Sequence, residues 1–201
     1  MNISLNSLSN LLENYGWKMN VFFSTLLMKI IMRIKGIEYG KSISFYGLAK
    51  FVVSGNGIIR MGSNNRFRSS STSNLIGINR PCIISALSPN AVLTIGNNCG
   101  FSGTVIGCEK KITIGSNIKF GANTLITDTD WHLNDPRAGK PAEVVIGDNV
   151  WLGVNVMVLK GVTIGENSLI GAGSVVVKDI PANVVAAGNP CRVIKEIKIT
   201  K

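Results

Sequence analysis

Six aliphatic residues recur at six-residue intervals toward the C-terminal end: Ile146, Leu152, Val158, Ile164, Ile170 and Val176. Glycine follows four of them, at Gly147, Gly153, Gly165 and Gly171, while Leu159 and Val177 break the pattern. A helix repeats about every 3.6 residues and a strand about every two, so neither accounts for this period. A six-residue beat with glycine predicts a β-solenoid, each hexad supplying one short strand and one turn of a coiled parallel sheet. The aliphatic side chain then points inward onto its counterpart one coil away. The glycine sits at the turn, where a Cβ would interfere.

The frame continues backwards through Ile126, Phe120, Ile114, Phe101 and Ile95, with Gly121, Gly115 and Gly96 in step. Residues two apart on a strand share a face. Thr124, Val150, Val156, Val162, Ser168 and Ser174, each two before an aliphatic, are therefore also expected inside. Further upstream, Tyr39-Gly40, Met61-Gly62 and Ile76-Gly77 read as coil turns in a looser version of the repeat. The expected organisation is an all-β solenoid over residues 37–190, a helical appendage over 1–36 and a tail over 191–201.

Composition narrows the partners. Charged residues make up 16% of the 201, yet the net charge is +10. That balance favours anionic partners such as phosphate-bearing cofactors, nucleotide sugars or an acidic membrane face. No basic-aromatic cluster or reader motif points to nucleic acid. The four cysteines, Cys82, Cys99, Cys108 and Cys191, lack metal-ligand spacing and read as buried reduced thiols, with no metal expected. The N-terminus lacks the early positive charge and small-residue site of a cleavable signal, which gives a cytoplasmic expectation.

Leu11 to Ile34 is rich in Leu, Met, Ile and Phe and reads as helix, with Gly16 a candidate interruption. Its uncharged run, Met19 to Met28, is far shorter than the roughly 20 residues a spanning helix needs. Lys18, Lys29 and Arg33 share one flank of such a helix. Two readings stay open: the helix caps the end of the solenoid, or residues 17–35 lie on an anionic membrane.

The repeat breaks after Ile126. Position 132, where the next inward aliphatic belongs, holds His132, the one histidine of the chain. The stretch 133–143 contains Pro136, Gly139 and Pro141 and is expected to leave the solenoid as a loop before the frame resumes at Val144. Loops on rigid scaffolds carry function, and histidine suits general-base work near neutral pH. His132 is thus the candidate base. Asp128, Asp130 and Trp131 are candidate substrate-side residues, one of the two carboxylates being placed to orient the imidazole.

Residues 95–195 resemble the hexapeptide-repeat acyltransferases, the left-handed parallel β-helix family, and within it the galactoside and maltose O-acetyltransferase branch, which extends to sugar O-acetyltransferases of capsule and lipopolysaccharide assembly. The matching stretches are Ile146-Gly-Asp-Asn-Val-Trp-Leu-Gly153, Gly161-Val-Thr-Ile-Gly165, Ile170-Gly-Ala-Gly-Ser174, Lys178-Asp-Ile-Pro181 and Ala186-Ala-Gly-Asn-Pro-Cys-Arg-Val-Ile-Lys195. The resemblance implies a homotrimer with active sites between neighbouring solenoids and acetyl-CoA as donor. It implies direct transfer, His132 taking the proton from a sugar hydroxyl as that oxygen attacks the thioester. Trp151, Gly153 and Ala172 would flank the pantetheine arm, and Lys178, Arg192 and Lys195 would approach its phosphates. Ser102 and Asn123 are acceptor-side candidates. Val154 and Val177 stand where many relatives carry hydroxyl residues.

The expected function is therefore acetyl-CoA-dependent O-acetylation of a sugar, nucleotide-sugar or lipid-linked saccharide in surface-polysaccharide biosynthesis, at or near the inner membrane face. Two alternatives remain at this point: N-acylation of an amino nucleotide-sugar, and a non-catalytic solenoid serving as an interaction surface. A zinc site of the γ-carbonic-anhydrase kind needs three histidines, and the chain has one.

Overall fold

The computed structural model describes residues 5–198 except Leu133, with side chains described from Gly16 onward. Residues 1–4 of the expected appendage, Leu133 of the expected loop and residues 199–201 of the expected tail lie outside the described residues. The chain winds as a three-faced coil. Face 1 stacks Glu38–Tyr39, Ile58–Met61, Val92–Ile95, Lys111–Ile114, Val144–Ile146 and Thr163–Ile164. Face 2 stacks Ser44–Tyr46, Arg66–Arg68, Gly100–Ser102, Lys119–Phe120, Trp151–Leu152, Leu169–Ile170 and Val184–Gly188. Face 3 stacks Lys50–Val53, Ile83–Ala86, Val105–Cys108, Leu125–Thr127, Met157–Val158 and Val175–Val176. All these stacks are parallel; Cys191–Glu196 then folds back antiparallel on Val184–Gly188. Residues 191–196 of the expected tail are thus the last strand of face 2.

The register puts like on like. Ile114, Ile146 and Ile164 align on face 1, and Phe120, Leu152 and Ile170 on face 2. All six aliphatics of the hexad beat are at most 1% exposed, as are Thr124, Val150, Val156, Val162, Ser168 and Ser174. Toward the N-terminal coils the ladder becomes aromatic. Phe45, Phe67, Phe101 and Phe120 stack with ring centroids 4.9, 4.5 and 4.6 Å apart.

Asparagine, as much as glycine, makes the turns. Asn98, Asn117, Asn149, Asn155, Asn167 and Asn183 all take positive φ near 60°, a conformation asparagine tolerates because its side chain bonds locally. The hexad glycines answer a different need, close approach of stacked coils. A Cβ at Gly121 would lie 2.4 Å from the carbonyl carbon of Gly153, and one at Gly165 would lie 2.3 Å from the amide nitrogen of Ala182.

Leu5–Ile34 forms one helix, α1, and Gly16 does not interrupt it. Met28 and Met32 are fully buried and join the core, together with Ile37 just beyond the helix. The Thr25 hydroxyl accepts from the Phe45 amide at 2.9 Å, which ties the helix to the first coil. The helix therefore caps the solenoid along one stripe.

Two loops leave the coil. One spans 129–143, starting four residues earlier than expected because the coil ends at Asp128, just after the Leu125–Thr127 strand. The other spans 69–81 and went unread in the sequence. Ile76-Gly77, taken there as a coil turn, lies within it, and Leu75 and Ile76 are exposed. Its Gly/Ser/Asn content matches that of the coil turns, so composition did not separate the two.

All four cysteines are free and buried. Burial pushes the Cys99 thiol up to about 11. Burial, then the nearby Asp128 carboxylate, pushes Cys108 up to about 12. Because these folded values exceed the unfolded one, the thiols help the folded state below the unfolded pKa, and that help is lost as pH rises through the folded values. Ellman's reagent at pH 8 is expected to find no reactive thiol in the native protein and all four once it is denatured. Rapid reaction of a native cysteine would refute the burial.

Candidate active site

Loop 129–143 leaves at the corner between faces 3 and 1. Asp128, its last residue inside the coil, is fully buried. Its Oδ1 accepts from the Glu109 amide at 2.7 Å, and its Oδ2 from the Lys110 and Lys111 amides at 2.8 and 2.7 Å. The sequence set Asp128 on the substrate side; in the fold its carboxylate is closed in by the adjoining turn of the preceding coil. Asp130 is exposed and accepts from the Lys160 ammonium and the Gly139 amide. Those bonds, the Lys160 one foremost, hold its carboxyl below the usual carboxylate range. Among the described residues neither carboxylate is hydrogen-bonded to the His132 side chain.

Trp131 takes φ +66°, a conformation that costs a bulky residue about 1–3 kcal/mol. Its indole lies on Gly107 of face 3; a Cβ at Gly107 would meet Cζ2 at 2.4 Å. This seat sets the start of the loop and turns it outward. His132 follows, exposed, with its carbonyl accepting from the Asp135 amide at 2.9 Å. Trp131, His132, Asn134, Asp135 and Pro136 line an open hollow of about 490 Å³. Asp135 is itself forked by Arg137 at 2.9 and 2.6 Å.

The second hollow lies at the corner between faces 2 and 3. Trp151, Gly153, Val154, Gly171 and Ala172 line an apolar groove of about 480 Å³, and Asn74 and Ile76 of loop 69–81 form its far wall. The small residues are there because successive coils touch backbone to backbone: a Cβ on Gly153 would sit 2.6 Å from the Ala172 amide nitrogen. Three of the expected donor-side residues thus meet in one place. Lys178, Arg192 and Lys195 are exposed and do not line this groove.

Ser102 and Asn123 bind loop 69–81 rather than open solvent. The Asn74 amide donates to Ser102 Oγ at 3.1 Å, the Asn79 backbone to Asn123 Oδ1 at 3.1 Å, and the Arg80 guanidinium to the Asn123 carbonyl at 2.8 Å. Ser102 is 3% and Asn123 8% exposed. Both acceptor-side candidates thus fasten the loop that walls the groove.

The two hollows occupy opposite edges of face 3. Between them its outward positions form an aligned apolar column, Ile83, Val105, Leu125, Met157 and Val175.

Known proteins share the repeat and the fold. Residues 143–178 match the family described as bacterial transferase hexapeptide (six repeats). The galactoside O-acetyltransferase of Escherichia coli K12 is 46% identical over 110 residues, covering 51% of this chain and 53% of that one. The galactoside O-acetyltransferase of Lactococcus lactis is 50% identical over 94 residues, covering 44% and 45%. The chain thus spans about half the length of the curated relatives it matches. Among solved structures, AntD, an N-acyltransferase from Bacillus cereus in complex with dTDP and 3-hydroxybutyryl-CoA, superposes with a TM-score of 0.65 at 21% identity, covering 85% of this chain and 88% of that one, a likeness of fold. Over residues 143–178 the chain thus resembles the bacterial transferase hexapeptide family, and its coil has the left-handed β-helix fold.

Proposed function

We propose that the protein transfers an acetyl group from acetyl-CoA to a sugar hydroxyl, within a homotrimer whose active sites are shared between chains. The observation that carries this reading is the arrangement of face 3: an apolar groove along one edge, His132 beyond the other, and an apolar column between. One hexad of strand separates the edges, roughly 20 Å at about 3.3 Å per residue. Reacting atoms must come within about 3–3.5 Å, so one chain does not bring its own groove to its own imidazole. A neighbouring copy packed on the apolar column does. Such head-to-tail contacts close into a ring, and three copies complete it.

In the shared site the groove of one chain takes the pantetheine arm, Trp151 covering it and Gly153 and Ala172 leaving room. Lys178, Arg192 and Lys195 stand toward the C-terminal end, where the donor's phosphates would lie. His132 of the next chain accepts the hydroxyl proton as the oxygen attacks the thioester carbonyl. The tetrahedral intermediate collapses, the C–S bond breaks, and the imidazolium returns the proton to the departing thiolate. No acyl-enzyme is needed, and the buried cysteines are unsuited to one. The galactoside O-acetyltransferase relatives and the acyl-CoA in AntD support the same reaction class. The test is release of thiol from acetyl-CoA across neutral sugars, acidic sugars and amino nucleotide-sugars, wild type against His132→Ala. Preference for an amino acceptor would replace O-transfer by N-transfer.

The same reading places the enzyme at the inner membrane face. Opposite the capping stripe, α1 exposes Met19, Phe22, Phe23, Leu26, Ile30 and Ile34, with Lys18, Lys29 and Arg33 along one flank. No acidic residue occurs between Glu13 and Glu38. Two such cationic surfaces repel each other, so an anionic lipid surface fits better than a second copy. No described helix is long and apolar enough to cross a membrane, which leaves an interfacial mode. Deleting the helix would also uncap the core. The informative variant therefore combines Phe22→Ser, Phe23→Ser and Leu26→Ser, all exposed. Co-sedimentation with phosphatidylglycerol vesicles is expected to fall by at least about a hundredfold, since each buried large apolar side chain contributes about 1.5–3 kcal/mol. Unchanged binding, or none by the wild type, would remove the membrane from this reading.

A further inference from the structure

One glycine is unexplained by the coil. Gly100 lies in the Gly100–Ser102 strand of face 2 without a positive φ, and a Cβ built on it meets nothing within 4 Å. A β-branched or aromatic residue would fit there and favour the strand. Glycine inside a strand marks a bulge, a tight bend, or a place where a ligand or another backbone comes close.

Its neighbours are cations. Arg66 pairs with Gly100 on one side and Lys119 on the other, so the outward column reads Arg66, Gly100, Lys119, Trp151. Arg68 stands two residues along from Arg66 on the same face. Among the described residues none of these three cations has an ion-pair partner. Arg68 instead lies 5.4 Å over the Tyr46 ring, and Lys119 lies 5.5 Å over Trp151. The gap over Gly100 opens into a polar groove of about 840 Å³ that also borders Asn64 and Asn98. Arg66 and Lys119 are two strand spacings apart, about 10 Å at the backbone, so the groove spans more than one negative charge. Guanidinium forks match carboxylate and phosphate geometry, and Tyr46 adds an aromatic ring to the groove lining.

We infer that this groove is the binding site for a saccharide carrying more than one negative charge, and that it extends the acceptor side of the active site. The inference rests on the acyl-transfer reading for that second clause. The column leads into Trp151 from the N-terminal side, whereas Lys178, Arg192 and Lys195 lie toward the other end. Lys178 follows the Val175–Val176 strand and Arg192 and Lys195 lie on Cys191–Glu196, so the groove and these cations occupy opposite ends of the coil. A diphosphate and successive acid-bearing sugars share the required chemistry.

Calorimetric titration of the full chain at low ionic strength tests this directly, with tetragalacturonate for carboxylates, inorganic pyrophosphate for diphosphates and maltotetraose as the neutral control. At least one anion is expected to bind and the neutral sugar not to. The anion that binds identifies the source of charge. The double variant Arg66→Gln with Lys119→Gln, and separately Gly100→Leu, which fills the gap without changing charge, are each expected to weaken that binding by about tenfold or more, or 1.4 kcal/mol. Coenzyme A affinity should stay within about twofold, well under that energy. Both changes point outward, and an unchanged melting temperature certifies the fold. Failure of the wild type to bind either anion, wild-type binding by the double variant, or parallel loss of coenzyme A affinity would overturn the inference. Titration requires no turnover, so it stands or falls apart from the His132 experiment.

Discussion

His132→Ala is expected to slow thiol release from acetyl-CoA by about 10²–10⁴, the usual worth of a positioned general base, while the melting temperature and coenzyme A affinity stay put. The side chain is exposed at the loop surface, so its removal leaves no cavity. A loss under about tenfold would reject the base role, which calls for at least about a hundredfold. The shared-site geometry adds a sharper test. Ala172→Phe should fill the groove from its exposed rim and abolish donor binding. Co-expressed with His132→Ala, it should restore roughly a quarter of wild-type activity, because each site in a ring draws its groove and its imidazole from different chains. Two inactive variants that never complement would mean that both parts come from one chain, and the trimeric arrangement would fail.

Asp128→Ala is expected to be the most destabilising polar substitution in the loop region. Three backbone amides, from Glu109, Lys110 and Lys111, would lose their acceptor. Each buried donor left unpaired costs about 1–3 kcal/mol, so the total should exceed about 3 kcal/mol in denaturant unfolding. Asp128→Asn retains a carbonyl acceptor and should cost less. If the role is structural, folded Asp128→Asn protein should keep near-wild-type turnover. Turnover as low as that of His132→Ala, in folded protein, would return Asp128 to the catalytic group.

These two residues, four apart, show how much the sequence disclosed. The histidine stood out because the hexad beat stopped there, a signal carried by the chain alone. The aspartate, in the same Thr-Asp-Thr-Asp-Trp run, was read as its helper. Proximity in sequence suggested that, but the last inward position of a coil points its side chain away from the loop that follows. Asp130 makes a related point: its partner Lys160 is 30 residues away and becomes adjacent only when the next coil is laid down. Ser102 and Asn123 likewise meet partners 28 and 44 residues away. The loop they fasten was invisible, because turn-forming residues fill both it and the ordinary corners.

Periodicity by itself determined the solenoid, the inward set from Ile95 to Val176 and the interruption at His132. Stacked coils place like positions in contact, so a one-dimensional repeat specifies a three-dimensional ladder. Only the tertiary structure decided which corner each loop leaves from, what closes the groove at Trp151 and Ala172, and which cations remain unpaired along face 2. Those facts depend on the accumulated count of residues around every coil, insertions included, and on contacts between residues tens of positions apart. Local pattern holds no record of either.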